Sequence, residues 1–86
     1  METIVESFKE DIISSQKNGV NYLELTRYRF ENGFQANVLE GLNSDLVTLI
    51  EIDPNSTNRI FFFDLTSKEL AEKLEAIKRE GVQEWQ

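Results

Sequence analysis

The run Ile60-Phe61-Phe62-Phe63 constrains the fold of this chain more than any other segment. Side chains of a strand alternate between the two faces of a sheet, so this strand places large apolar groups on both faces. A sheet that is apolar on both faces has to be covered on both. Only two other segments have the pattern of amphipathic helices, and we therefore expect part of one face to remain for a partner.

Size and composition indicate one small acidic domain. The chain has 86 residues, 40% apolar and 29% charged, as in soluble globular proteins, and we expect residues 1–86 to form a single domain. The net charge of −7 disfavours a nucleic-acid partner, because phosphates require clustered Lys and Arg. No apolar run is long enough for a membrane span and no secretory signal is recognisable, so we expect a cytoplasmic protein that binds no membrane.

A first helix is predicted near the N-terminus. Thr3-Ile4-Val5-Glu6 has the spacing of a capping box, in which a hydroxyl and a carboxylate satisfy free amides at a helix start. Val5, Phe8 and Ile12 then recur at helical intervals, and Gly19 supplies a left-handed stop. We expect one helix between these two signals.

A second helix is predicted near the C-terminus, where the signals are sharper. Thr66-Ser67-Lys68-Glu69 forms another capping box. Leu70, Leu74 and Ile77 follow as a narrow apolar stripe that ends before Gly81. This pattern predicts a helix with one face buried against a sheet.

Between the helices the apolar period changes to two, which is typical of strands. Four such segments are separated by Gly, Asn, Asp and Pro, namely 22–30, 34–40, 46–52 and 59–65. The expected fold is α+β, a two-layer, four-stranded antiparallel meander with an N-terminal and a C-terminal helix in the order α-β-β-β-β-α. That order occurs in many unrelated small proteins and does not by itself indicate a function.

Side-chain parity predicts the two outer hairpins. A three-residue loop at 31–33, with its glycine left-handed, pairs Phe30 with Phe34 and Tyr28 with Ala36, which keeps apolar groups on one face. In the last hairpin, Asp53-Pro54 is typical of a type I turn. Closing that loop places four residues on a common face, Val47, Leu49, Ile60 and Phe62.

The connection from Glu40 to Leu46 joins the two hairpins and leaves their relative parity undetermined. We expect Ile50 and Phe61 to share the helix-covered face with Tyr28. The reverse face is then half polar and half apolar, and it is the predicted partner-binding site, composed of Arg27, Arg29, Gln35, Asn37, Val47, Leu49, Ile60 and Phe62. It could bind a second copy of the chain or a different protein, or be covered by one helix or by the tail that carries Trp85.

Catalysis has little support in this sequence. The chain contains no His and no Cys, which removes the usual acid–base and nucleophilic groups and most transition-metal ligands. Its four glycines are scattered, so no phosphate-binding loop is present. We expect neither catalytic nor metal nor cofactor sites.

The function expected from the sequence is that of a small acidic, non-enzymatic protein-binding module that acts through its sheet face, either on a different protein or as a homodimer. Two alternatives stay open. One is an acidic inhibitor of a larger enzyme, of the phage or immunity type, whose carboxylates imitate nucleic-acid phosphates. The other is a small-ligand carrier with a pocket between helices and sheet.

Overall fold

The structure, a computed structural model, describes residues 3–17, 19, 23–41 and 46–79. It shows an α+β arrangement in which one antiparallel sheet of five strands has the order β1-β2-β3-β4-β5. A short 3-10 helix precedes the sheet and one α-helix follows it. Their bounds are Glu6–Asp11 for the 3-10 helix, Ile12–Lys17 for β1, Glu24–Arg29 for β2, Gln35–Glu40 for β3, Val47–Ile52 for β4, Arg59–Leu65 for β5 and Ser67–Arg79 for α1.

The core lies on one side of the sheet only. Helix α1 packs on β3, β4 and β5, and the 3-10 helix packs on β2. We call this side the covered face. Its largest fully buried apolar side chains are Tyr28, Val38, Val47 and Leu49 from the strands and Leu70, Leu74 and Ile77 from the helix.

The register predicted for the β2–β3 hairpin is confirmed. The amide of Phe30 donates to the carbonyl of Phe34 (2.9 Å), which closes a three-residue loop. Tyr28 lies opposite Ala36. Gly33 has φ +90°, a conformation that glycine adopts without the steric cost that a Cβ brings.

The β4–β5 hairpin has its predicted register from Arg59 to Phe62, and beyond Phe62 an irregularity shifts the pairing so that Leu65 lies opposite Val47. Ile52 lies opposite Arg59 and Ile50 opposite Phe61. The Asp53 carboxylate accepts a hydrogen bond from the amide of Asn55 (2.8 Å). The turn chemistry of Asp-Pro therefore decides the closure of this loop, as the sequence predicts.

Helix α1 begins at the predicted capping box. The amide of Thr66 donates to the Glu69 carboxylate (3.0 Å), and the amide of Glu69 donates to the Thr66 hydroxyl (3.2 Å). Hydrogen bonds from the backbone amide and the side chain of Thr66 to the carboxylate lower the pKa of Glu69. The predicted stripe of Leu70, Leu74 and Ile77 is buried, whereas the predicted stop at Gly81 lies outside the described residues.

The predicted N-terminal helix is wrong, and the sheet has five strands where four were expected. The chain forms only a short 3-10 helix around Phe8 and then continues as β1, which pairs with β2. Thr3 caps no helix, since its amide and hydroxyl bind the Glu24 carboxylate instead. The free edge of β2 offers a full set of backbone hydrogen bonds to a segment rich in β-branched and serine residues, which have low helix propensity.

The predicted parity between the hairpins is also wrong. Val38 lies opposite Leu49, and Glu40 opposite Val47. Six residues separate Glu40 from Val47, and this even number places the odd-numbered residues of β4 on the covered face. The sequence pattern did not distinguish the two registers because β4 and β5 carry apolar residues at both parities.

Candidate functional site

The side of the sheet opposite the helix is uncovered by any described element, and we call it the open face. One row of open-face residues crosses all five strands and consists of Ser14, Arg27, Asn37, Ile50 and Phe61. A second row crosses β2 to β5 and consists of Arg29, Gln35, Ile52 and Arg59. A further row contains Gln16, Leu25, Leu39 and Thr48. Phe63, two residues beyond Phe61, completes the open face.

Two phenylalanines dominate one edge of the open face. Phe61 is 50% exposed and Phe63 is 66% exposed. Their rings stack at 6.0 Å between centroids and 14° between planes. Next to them, Asp64 has φ 57° at an irregularity in the β4–β5 pairing, and such a bulge bends the strand locally. The result is a stacked aromatic pair that is exposed on the open face.

Three arginines project from the same side of the sheet. Arg27 and Arg29 come from β2, and Arg59 comes from the start of β5. Among the described residues, no carboxylate lies within salt-bridge distance of these guanidinium groups. Each guanidinium can therefore direct its planar set of donors at an incoming carboxylate or phosphate.

Acidic side chains are missing from the open face. None of its residues is Asp or Glu, although the whole chain has 16 acidic residues and 9 basic ones. The strand carboxylates of Glu24, Glu40 and Glu51 occupy the opposite, covered side, as their pairing with Lys17, Val47 and Ile60 shows. The open face is thus a basic, apolar surface on an acidic protein.

The structure divides the predicted partner-binding residues between the two sides of the sheet. Arg27, Arg29, Gln35 and Asn37 lie together on the open face. The prediction is wrong for the other four residues, which lie on the covered face: Val47 (1% exposed), Leu49 (0%), Ile60 and Phe62. Phe62 is half-buried there, with the Lys73 ammonium 4.6 Å from its ring centroid.

Sequence reasoning missed the apolar part of the open face that β4 and β5 supply, which consists of Ile50, Ile52, Phe61 and Phe63. One signal could have found it. Arg59 shares the parity of Phe61, and a charged residue in that series favours a solvent-facing side. Glu51 conflicted with this signal, because it shares the parity of Leu49 and is nonetheless buried.

A second group of interacting polar side chains lies under the N-terminal segment. Thr3 binds both the Glu24 carboxylate and the Thr26 hydroxyl, the latter at 2.7 Å between oxygens. The Tyr28 hydroxyl donates to the carbonyl of Thr3 (2.6 Å) and accepts from the amide of Val5 (2.9 Å). These bonds attach the N-terminal segment to β2.

The pKa values in this cluster follow from its hydrogen bonds. Burial raises the pKa of Glu24. The hydrogen bonds from Thr3 and the nearby Lys17 ammonium lower it by more than burial raises it, so the pKa of Glu24 lies below the ordinary value. Burial raises the pKa of Tyr28. Glu24 therefore stays ionised and Tyr28 neutral near pH 7, which suits a structural role.

The described residues contain no group of three or more His, Cys, Asp and Glu side chains arranged to hold a metal. Within the same residues, no helix has the length and apolar character needed to cross a membrane. Comparison with protein families, curated proteins and solved structures found no match to this chain. The open face is a candidate site because of the arrangement of its own residues.

Proposed function

We propose that this chain is a small, acidic, non-enzymatic, cytoplasmic protein-binding module that acts through the open face of its sheet. The observation that carries the proposal is the pairing of exposed Phe61 and Phe63 with three arginines on a surface without carboxylates. Aromatic residues and Arg are enriched in protein interfaces, and Asp, Glu and Lys are depleted there. The open face has this composition.

The energetics of the aromatic pair support the same proposal. Burying the exposed parts of Phe61 and Phe63 would contribute about 1 to 2 kcal/mol for each ring. Ile50 and Ile52, both half-buried, extend the apolar area across β4. A continuous apolar patch of this kind on a small protein is typical of an interaction site.

The two alternative functions have weaker support. Helix α1 carries three acidic and four basic residues, so it is not a strip of negative charge that could imitate nucleic acid. The space between α1 and the sheet, where a carried ligand would bind, is filled by Leu49, Leu74 and Ile77, each 0% exposed. The lack of His and Cys favours a binding role over catalysis.

A pair of matched variants tests the proposal. Phe63→Lys places a charge in the open face, and Ile13→Lys places the same charge at the opposite edge of the sheet, where Ile13 is 55% exposed. In affinity capture from an extract of the native host, we expect a partner that wild type and Ile13→Lys retain and Phe63→Lys loses. Equal capture by all three proteins would show that binding does not use the open face.

A further inference from the structure

The chemistry of the open face also restricts what can bind to it, provided that the proposed function holds. Arg27, Arg29 and Arg59 give the face three positive charges, whereas the whole chain carries −7. Buried charges need a partner of opposite sign, since an unpaired guanidinium in an interface loses its hydration without compensation. The surface that covers the open face must therefore supply anionic groups.

A second copy of the chain does not meet this requirement. Two open faces packed symmetrically would bring six arginines together without one carboxylate from either face.

Single-stranded nucleic acid fits the face less well than a protein does. Exposed aromatic rings and arginines on a sheet can bind unpaired bases. Here, however, Phe61 and Phe63 stack on each other, and the aliphatic residues Leu25, Leu39, Ile50 and Ile52 occupy the neighbouring positions.

We infer that the partner is an acidic segment of a different protein that carries aliphatic or aromatic side chains between its carboxylates. The apolar side chains contact Phe61, Phe63 and Ile50, and the carboxylates pair with the arginines of β2 and β5. Arg29 and Arg59 lie in one row, three strand spacings apart. That separation is about 14 Å.

This separation predicts the spacing of the partner's acidic residues. An extended chain advances about 3.4 Å per residue, so its two carboxylates are about four residues apart. A helix advances about 1.5 Å per residue and turns once every 3.6 residues, so two carboxylates on the side that faces the sheet are about eleven residues apart. Either arrangement leaves room for apolar residues over the centre of the face.

Selection from a displayed library of random 16-residue peptides tests the inference. The full chain is the bait, and peptides that also bind the Phe63→Lys variant are discarded. We expect the remaining peptides to contain Asp or Glu at one of the two spacings together with aliphatic or aromatic residues. Their affinity should fall at least about 10-fold between 50 and 500 mM NaCl and on replacement of the arginines by R27E/R29E/R59E.

A charge-matched variant away from the open face is the control. K9E/K68E/R79E changes three exposed basic residues and alters the net charge equally, and we expect it to bind the selected peptides within about 2-fold of wild type. Circular dichroism and thermal unfolding establish that each variant is folded. If both triple variants weaken binding equally, only the overall charge matters and the inference is overturned.

The other outcomes separate the inference from the proposed function. Neutral or basic peptides that still require Phe63 would overturn the acidic partner and leave a protein-binding face. Failure to select any peptide that depends on Phe63 would overturn both. A dimer at micromolar concentration that Phe63→Lys dissociates, or binding of a 12-residue oligothymidylate below about 10 µM, would replace the acidic protein by a second copy or by nucleic acid.

Discussion

The side chain of Asn32 caps the C-terminal end of helix α1 by donating to the backbone carbonyl of Ile77 at 2.8 Å. The same amide group lies 3.2 Å from the carbonyl of Lys78, and its oxygen accepts from the amide of Phe34 (3.0 Å). The last carbonyls of a helix lack donors within the helix. A residue of the β2–β3 turn supplies one here, and the turn thereby holds the helix on the covered face.

We expect Asn32→Asp to destabilise the protein by about 1 to 2 kcal/mol. The carboxylate cannot donate to Ile77, and its negative charge is unfavourable at the C-terminal end of a helix. Urea denaturation at pH 7 measures the loss. Asn58→Asp, in the exposed β4–β5 turn, is the control and should change the free energy of unfolding by less than about 0.5 kcal/mol. Equal effects of the two substitutions would contradict the capping role.

Gly33→Ala should destabilise the protein by about 1 to 3 kcal/mol, because two costs combine. Gly33 has φ +90°, and a Cβ there would lie 3.1 Å from Cγ of Pro54, closer than an ordinary van der Waals contact. A double-mutant cycle with Pro54→Ala separates them. We expect Pro54→Ala to restore part of the stability lost in Gly33→Ala. Strictly additive free energies would show that the added Cβ does not clash with Pro54.

Tyr28→Phe should cost about 1 to 3 kcal/mol of stability. The substitution removes the hydroxyl that binds both the carbonyl of Thr3 and the amide of Val5, leaving polar backbone groups without their partner. Hydrogen exchange measures the local effect, and the amide of Val5 should exchange faster than in wild type. Unchanged exchange at Val5 would show that the N-terminal segment does not depend on this hydroxyl.

Stability should decrease on acidification partly through Glu24. Its folded-state pKa lies below the ordinary value of 4.5, so the folded protein binds fewer protons than the unfolded chain in this range. The contribution is complete above about pH 5 and is lost as the pH falls through the lowered pKa. Denaturation series from pH 6 to 3 should show a shallower slope for Glu24→Gln, while Glu72→Gln, an exposed helix variant, should retain the wild-type slope.

The elements that the sequence predicted correctly are those closed by neighbouring residues. The Thr66–Glu69 capping box, the loop ending in Gly33 and the Asp53-Pro54 turn each form bonds within a few positions of the chain. Such bonds depend on residue type and spacing, which are visible in the sequence. The parities inside the two hairpins followed from these loops.

The N-terminal segment and the face of the candidate site depended on distant residues. Val5, Phe8 and Ile12 have helical spacing, yet the unpaired edge of β2 makes a strand of Ile12–Lys17. Arg27 and Arg29 were placed correctly beside Gln35 and Asn37 because they belong to one hairpin. Val47 and Leu49 were misplaced because they belong to the β4–β5 hairpin, whose parity relative to the β2–β3 hairpin the sequence pattern did not determine.

The sequence by itself determined the two hairpins, the C-terminal helix and the polar half of the open face, because each is decided by bonds between near neighbours. Only the tertiary structure decided which side of the second hairpin the helix covers. Both sides of β4 and β5 are apolar, so burial alone gives either choice a similar free energy. The connection between Glu40 and Val47 sets the parity, and through it the exposure of Phe61 and Phe63.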